Sequence, residues 1–485
     1  MKIRVIRVIR VLLKKGEYML AALEKLDKKG IACDSREVRD DYIFVAVKGE
    51  KIDGHDYIDD AIDRGAKIVI LERDIFVKKG VTKIVVDDTR AALTRLSNVF
   101  YNYPYNKINT VGITGTKGKT TISYLIEAIL QANEIAVGLI GTINYRLDKR
   151  VIPAVNTTPA PPLLYKLGAD MLTNGITHCV MEVSSHALEQ KRVDGIKFNY
   201  AVFSNLTRDH LDYHKTLNFY FDAKLRLFKM LDDKSFAIIN RDDKFFKKIK
   251  AVVKGKVVSY GFLNNANIKY DGKKRDEIFV KYPEGRVGIK FTLIGRHNIY
   301  NMLAAFAAAY SMGIKIEKIK QGLEGIKIIP GRLEKLTWQE KGIDIFIDYA
   351  HTHDSLKKVL IAVKEIGYKK VIVVFGCGGD RDKGKRKKMG FAAWRYADYS
   401  YITTDNPRSE EPAKIAEQVL RGFIFRNKVK VELDRAEAIK SALLKAKQGD
   451  AVIIAGKGHE TYQIFKSTIA PFSDKAVVLG MINLK

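Results

Sequence analysis

The sequence predicts an α/β protein of about three domains built on mostly parallel sheets. Apolar runs rich in Val and Ile alternate with longer helical patterns: Lys67–Leu71, Thr110–Thr114, His178–Val183, Tyr200–Ser204, Phe236–Asn240, Ile343–Asp348, Lys370–Phe375, Tyr399–Thr403 and Ala451–Ala455. Continuous apolar strands separated by helices indicate parallel sheets covered on both faces. The ends of these runs carry polar clusters, namely Thr114–Thr121, Glu182–His186, Asn205–His214, Asp348–His353, Gly376–Arg386, Thr404–Glu411 and Gly456–Glu460. Ligands in such folds gather beyond the carboxyl ends of strands. The chain has 485 residues. A single core stops growing at about 250–300, and about 150 residues per domain gives three.

At the N-terminus, Arg4, Arg7 and Arg10 interrupt every apolar run and no small-residue cleavage site follows. The segment reads as a short basic extension rather than a signal peptide. An amphipathic surface helix is the rival reading. No run approaches the ~18 apolar residues of a membrane span, so stable membrane insertion is not expected. Cys33, Cys179 and Cys377 are far apart and form no CxxC pair, which fits a reducing cytoplasm. The formal charge of +29 comes from 85 basic and 56 acidic side chains. It favours polyanions, but it is spread along the chain, so nucleic acid is not expected as the main partner.

Two breaks suggest domain boundaries. Tyr101–Asn109 is polar and aromatic around Pro104, and Ile329–Leu333 separates a helical region from a new strand. The divisions expected are 1–107, 108–331 and 332–485.

The segment from Thr110 to Ile122 reads strand, glycine loop, helix. Gly115 and Gly118 let backbone N–H groups face a phosphate, and the helix adds its positive N-terminal end. Lys119 is expected to reach the terminal phosphates, and Thr120 to place its hydroxyl on Mg²⁺. The match to G-x-x-x-x-G-K-[ST] is incomplete, because its first glycine falls at Ile113. Glu182 ends a strand, where an unpaired carboxylate is seldom buried without a cation. A metal ligand or a salt bridge to a lysine both fit. His210 and His214 share a face if their segment is helical, but no third zinc ligand has clear spacing. His351 and His353 read as loop residues at a site edge. By its own pattern, Lys224 in FYFDAKLRLF reads as an ordinary surface lysine on an amphipathic helix.

Taken together, the motifs resemble the Mur ligase family. They are CDSREV with IFVAVKG; GITGTKGKTT; NTTPAP; MEVSSHALEQKRV; SNLTRDHLDYH; AKLRLF; GRHNIYNMLAA; PGRLE; IDYAHTHDSL; GCGGDRDKGKR; TTDNPRSEEP; and AGKGHETYQ. The resemblance covers the chain after about residue 30, and the family's own GT-x-GK-[ST] loop removes the glycine mismatch. It implies an N-terminal α/β domain that binds UDP, a central P-loop ATPase domain and a Rossmann-like C-terminal domain that brings an amino acid. It further implies a cytoplasmic ADP-forming amide ligase of peptidoglycan precursor synthesis, acting as a monomer with ATP and Mg²⁺.

The resemblance also assigns residues. The UDP-muramoyl-dipeptide falls to Ser35, Asn156, Thr157, Thr158, Ser184, Gln190 and Arg192. ATP falls to Gly115, Thr116, Lys117, Gly118, Lys119, Thr120 and Thr121, with Asn298, Asn301, Arg332 and Asp348 around adenine, phosphates and ribose. Thr120 and Glu182 hold one Mg²⁺. His210 and a carbamylated Lys224 serve the second, and with Lys119 they form the catalytic group. A carbamate turns an ammonium into a hard oxygen ligand, so the resemblance overrides the surface reading of Lys224.

The incoming amino acid is expected to be meso-diaminopimelate, because Asp405, Asn406, Pro407 and Arg408 spell the DNPR loop. Arg408 offers a planar fork to a distal carboxylate and repels the bare ammonium of L-lysine. Arg381, Gly456 and Glu460 complete that pocket, Glu460 accepting the ammonium. Ligation of L-lysine is the nearest alternative. Folylpolyglutamate synthase is the nearest rival enzyme, and a basic nucleic-acid-binding P-loop ATPase is the rival of another class. Four positions depart from the family pattern: His353 stands for proline, Lys117 for asparagine, and Asp40–Asp41 for proline–glycine.

Overall fold

The computed structural model describes residues 29–49, 52–263 and 265–483; the basic N-terminal extension lies outside them. Three sheets organise the chain. The first contains β1 (Gly30–Ala32), β2 (Tyr42–Val45), β3 (Ala66–Leu71) and β4 (Thr82–Val85), all parallel in that order. Its two faces carry separate apolar clusters. One contains Leu93 and Leu96 of helix Thr89–Phe100, and the other Ile58 and Ala61 of helix Ile58–Asp63. The Asp40–Asp41 departure has a backbone explanation. Asp41 sits at φ 67, a left-handed conformation that glycine takes freely and Asp tolerates better than most residues.

The second sheet has eleven strands. Its parallel centre is β12 (Lys256–Gly261), β11 (Phe236–Asn240), β10 (Tyr200–Phe203), β5 (Asn109–Thr114), β9 (His178–Glu182) and β6 (Val137–Ile140), in that spatial order. Residues such as Val111, Ile113, Val180 and Val202 are fully buried, as the continuous apolar runs require. The sheet's flanks differ from the expected parallel pattern. β7 (Asn144–Leu147), antiparallel to β6, and β8 (Arg150–Pro153), antiparallel to β7, extend one edge. β13 (Ile268–Lys274), β14 (Glu277–Tyr282) and β15 (Gly285–Lys290) extend the other as a meander. These strands are polar and only half-buried, so they lack the apolar runs that announce the centre.

The third sheet runs β16 (Glu334–Trp338), β17 (Ile343–Asp348), β21 (Ala451–Ala455), β18 (Val371–Phe375), β19 (Tyr399–Ile402) and β20 (Val429–Val431). All its pairings are parallel except β16 with β17. A small hairpin, β22 (Tyr462–Phe465) with β23 (Thr468–Pro471), follows. Helix His353–Lys364 starts at a capping box in which Thr352 and Ser355 satisfy each other's backbone N–H groups. That cap fixes the start where a first-turn proline would otherwise help, which accounts for His353. Among the described residues, no helix is long and apolar enough to cross a membrane.

Candidate functional site

β5 lies between β9 and β10, so the loop after it opens at the carboxyl ends of three strands. Gly118, at φ 92, caps helix Lys119–Ala132, and a Cβ there would collide with Asn301 Oδ1. The loop is braced from outside. Thr116 N and Lys117 N donate to Asn205 O (2.8 Å) and Asn205 Oδ1 (3.2 Å). Lys119 Nζ lies over its own loop, 3.1 Å from Gly115 O and 3.3 Å from Thr116 O. Burial pulls its amine below the usual lysine range, opposed by the Glu182 charge.

Glu182, 1% exposed, is the hub. Its carboxylate accepts from Thr120 Oγ1 (3.0 Å), Thr142 Oγ1 (3.0 Å) and Thr142 N (2.9 Å). Arg332 Nη2 donates to Thr120 Oγ1 at 3.1 Å, and its guanidinium stacks 4.9 Å from the Tyr349 ring. Asp348 accepts Leu333 N at 2.7 Å; burial raises its carboxyl, while Arg332 opposes the rise. Asn298 and Asn301 are buried and joined, Asn301 Nδ2 donating to Asn298 Oδ1 at 3.0 Å.

Lys224 lies on helix Leu217–Lys229, capped by Thr216. It is 2% exposed, which corrects the surface reading of its local pattern. Nζ donates to Gly115 O at 2.8 Å and sits 4.5 Å from the Tyr220 ring. Burial pushes this amine well below the usual lysine range, and Lys119 and Lys117 push it further. Lys117 pairs instead with Asp209, Nζ to Oδ2 2.9 Å. Burial would raise the Asp209 carboxyl, but the Lys117 and His210 charges hold it far below the ordinary range. His210 caps helix Leu211–His214, and its carbonyl accepts His214 N at 2.9 Å, but the two rings do not pair. His186 stands between them, with ring centroids 5.0 Å and 5.5 Å away. Enclosure lowers His186 to about 4, and Arg192 adds to it.

Thr158 ties the next segment to β9, donating to Glu182 O at 2.8 Å and accepting Ser184 N at 3.1 Å. Arg192 donates to Thr158 O (2.7 Å) and is held by Gln190 Oε1. Its charge reaches Cys33, which follows β1, and lowers that thiol against the burial that raises it to about 11. Ser35, buried in a short 3-10 turn, stands two residues beyond and does not line the main cavity.

Asp405–Arg408 follows β19. Arg408, at φ 52, directs Nη1 to Gly379 O at 2.8 Å, and its backbone pairs with Ile464 and Lys466. Asn406 Nδ2 donates to Glu460 Oε2 at 3.0 Å. Pro407 contributes backbone only, its O accepting Glu410 N. Gly456, at φ 117, passes close to the Asp405 carboxylate. Arg381 reaches across to Asp212, 3.8 Å away.

One cavity of about 900 Å³ joins these groups: Thr116–Thr121, Asn156–Thr158, Glu182, Ser184, Arg192, His210, Asn298, Asn301, Arg332, Asp348, Arg381, Arg408 and Glu460 all line it. A side chamber of about 200 Å³ adds Asp405, Asn406 and Gly456 and shares His210, Arg381, Arg408 and Glu460 with it. Gly115, Lys224, Gln190 and Pro407 stand behind this surface. Sequence reasoning gave no role to Thr142, His186, Asp209 or Lys457. Lys457 is fully buried between Asn406 and Glu460. Its only sequence signal is its place inside AGKGHE, where a lysine between two glycines reads as exposed.

Three family models match in series: Mur ligase family, catalytic domain, over residues 28–101; Mur ligase middle domain over 113–309; and Mur ligase, glutamate ligase domain, over 331–458. The chain is 42% identical to the UDP-N-acetylmuramoyl-L-alanyl-D-glutamate--2,6-diaminopimelate ligase of Geobacter metallireducens, over 93% of this chain and 94% of that protein. A solved structure of a ligase of the same name is 32% identical, with TM-score 0.65 over 94% of this chain and 95% of the other. The MurF ligase of Thermotoga maritima, solved with ADP, shares the fold at 20% identity and TM-score 0.66, over 94% and 97%.

Proposed function

The chain belongs to the Mur ligase family, and from that premise we propose that it joins meso-diaminopimelate to UDP-N-acetylmuramoyl-L-alanyl-D-glutamate in the cytoplasm, converting ATP to ADP and phosphate. The observation that carries this reading is the single cavity in which Lys119, Glu182 and Arg408 face one volume.

In the first step a carboxylate oxygen of D-glutamate attacks the γ-phosphorus of ATP. The bond to the β–γ bridging oxygen breaks, ADP leaves and an acyl phosphate forms. In the second step the amine attacks the acyl carbon, phosphate leaves and the nitrogen loses a proton. A carboxylate approaching a triphosphate is repelled. Lys119, Arg332 and the loop N–H groups offset that repulsion with fixed positive charge. Asn298 and Asn301 flank the nucleotide, while Arg192, Thr158 and Ser184 hold the muramoyl-dipeptide beside Glu182. Arg332 brings the third sheet's module onto Thr120 and closes the cleft, excluding water that would hydrolyse the acyl phosphate.

The Glu182 carboxylate and Thr120 hydroxyl, 3.0 Å apart, are hard oxygen donors that fit Mg²⁺. Bound there, Mg²⁺ supplies charge stabilisation to the transferred phosphoryl group. Lys224 as an amine does not fit a metal. In its uncharged form this nitrogen, held on Gly115 O, adds CO₂ and releases a proton, giving a carbamate that does fit. His210, close by, completes the second set.

Phosphate release measured with ATP, Mg²⁺ and the UDP-muramoyl-dipeptide should require an amino acid and prefer diaminopimelate to L-lysine. Release that ignores the dipeptide, or rises with DNA or RNA, would overturn the reading.

A further inference from the structure

We propose that Lys457 is a positioning residue that sets the selectivity for the acceptor amino acid, a role that rests on the acceptor reading above. Lys457 follows β21 between Gly456 and Gly458, and its side chain is fully buried. Nζ lies 3.0 Å from Asn406 Oδ1, 3.2 Å from Glu460 Oε2 and 3.8 Å from Asp405 Oδ1.

These contacts do two things. They orient the Asn406 amide: Oδ1 accepts from both Lys457 Nζ and Ile464 N (3.1 Å), so Nδ2 must face Glu460 Oε2. Reversal would aim the amide N–H₂ at an ammonium and strand two donors, a costly state in a buried site. Glu460 Oε2 is thereby filled from two sides. Oε1 faces the Tyr349 hydroxyl at 3.4 Å and is the oxygen left for a ligand ammonium.

They also balance the charge of the cluster around Lys457. Lys457 and Arg408 contribute two positive charges, Asp405 and Glu460 two negative ones. The neighbouring Arg435 and Asp474 cancel each other in a buried two-point ion pair at 2.7 and 2.8 Å. Within this cluster of four groups the sum is zero, with Arg408 and Glu460 presenting opposite signs; on the chamber's outer wall Arg381 faces Asp212 at 3.8 Å. A zwitterionic distal end, ammonium plus carboxylate, leaves that sum unchanged and engages both. A bare distal ammonium adds one uncompensated charge beside the buried Lys457. Without Lys457 the sum becomes −1 and the bare ammonium becomes the better match.

The test is the ratio of kcat/KM for diaminopimelate to kcat/KM for L-lysine, measured with the KM for ATP and the melting temperature. Lys457→Gln keeps a donor for Asn406 but removes the charge. It should lower the ratio tenfold or more and leave the KM for ATP within twofold. Lys457→Arg keeps the charge and should hold the wild-type ratio even where both acceptors bind more weakly. A ratio unchanged in Lys457→Gln, or KM for ATP and acceptor rising together with a lower melting temperature, would show a merely structural lysine and overturn the proposal. If Lys457→Gln does not fold, Asp405→Asn moves the sum the other way and should widen the preference; an unchanged ratio there also overturns it. Wild-type enzyme indifferent to diaminopimelate would overturn the acceptor reading itself, a result visible before any variant is made.

Discussion

At the phosphate end of the cavity, two lysine amines rest on carbonyl oxygens. Lys119 covers Gly115 O and Thr116 O, and Lys224 reaches Gly115 O from behind. Only Lys117 has a carboxylate partner, Asp209. At the acceptor end, Lys457 meets Asn406, Asp405 and Glu460, and Arg435 meets Asp474. In the first region the Lys119 amine contacts only backbone carbonyl oxygens, so it is left to meet an incoming polyanion. The second is compensated within itself, so it gains little from charge as such and discriminates by where each sign is placed. On the function proposed above, binding strength and selectivity are built at opposite ends of one volume.

The sharpest way to break this contrast is at the phosphate end. Lys119→Ala should lower kcat about 10²–10³-fold, because the cation that meets the terminal phosphates is removed. Steady-state phosphate release measures it, and a fall under threefold would deny Lys119 that role. Lys224→Ala should lower kcat about 10²-fold, with part of the activity returned by added short carboxylates. Full activity without them would end the carbamate reading. At the other end, Arg408→Ala should raise the KM for diaminopimelate about 10–100-fold and leave the KM for ATP unchanged. Equal changes in both would mean that the two ends are not separable.

The smallest effect concerns stability. His297, next to Asn298, is lowered to about 4 by burial and by the Lys358 charge, against an ordinary value of about 6.5 in the unfolded chain. The unfolded state therefore takes up the proton first. This contribution is complete above about pH 6.5 and is lost as pH falls toward 4, on the order of 1–3 kcal/mol. His297→Phe should flatten the fall in melting temperature over that window. An unchanged profile would place the acid sensitivity elsewhere.

The parallel centres of the sheets were legible because buried strands must be apolar on both faces, as Val111, Ile113 and Val180 are. The edge strands β7, β8 and β13–β15 were not, since half-exposed strands carry mixed residues with no strong period. Lys224 shows the limit at the site. Its helix has the pattern of an amphipathic surface helix, and nothing local says that this lysine points inward under Gly115. Lys457 shows the same limit, because two flanking glycines suggest an exposed turn.

Residue types and short spacings determined the strand–loop–helix at Gly115–Thr121, the guanidinium in the DNPR loop and the parallel sheets, since each depends on local backbone geometry or on the period of apolar side chains. Packing alone decided that Arg332 meets Thr120 across 212 residues, that Lys224 is buried and that Lys457 fixes the Asn406 amide. Those contacts depend on how separate modules dock. Their energy comes from groups brought out of water together, which no stretch of the chain contains by itself.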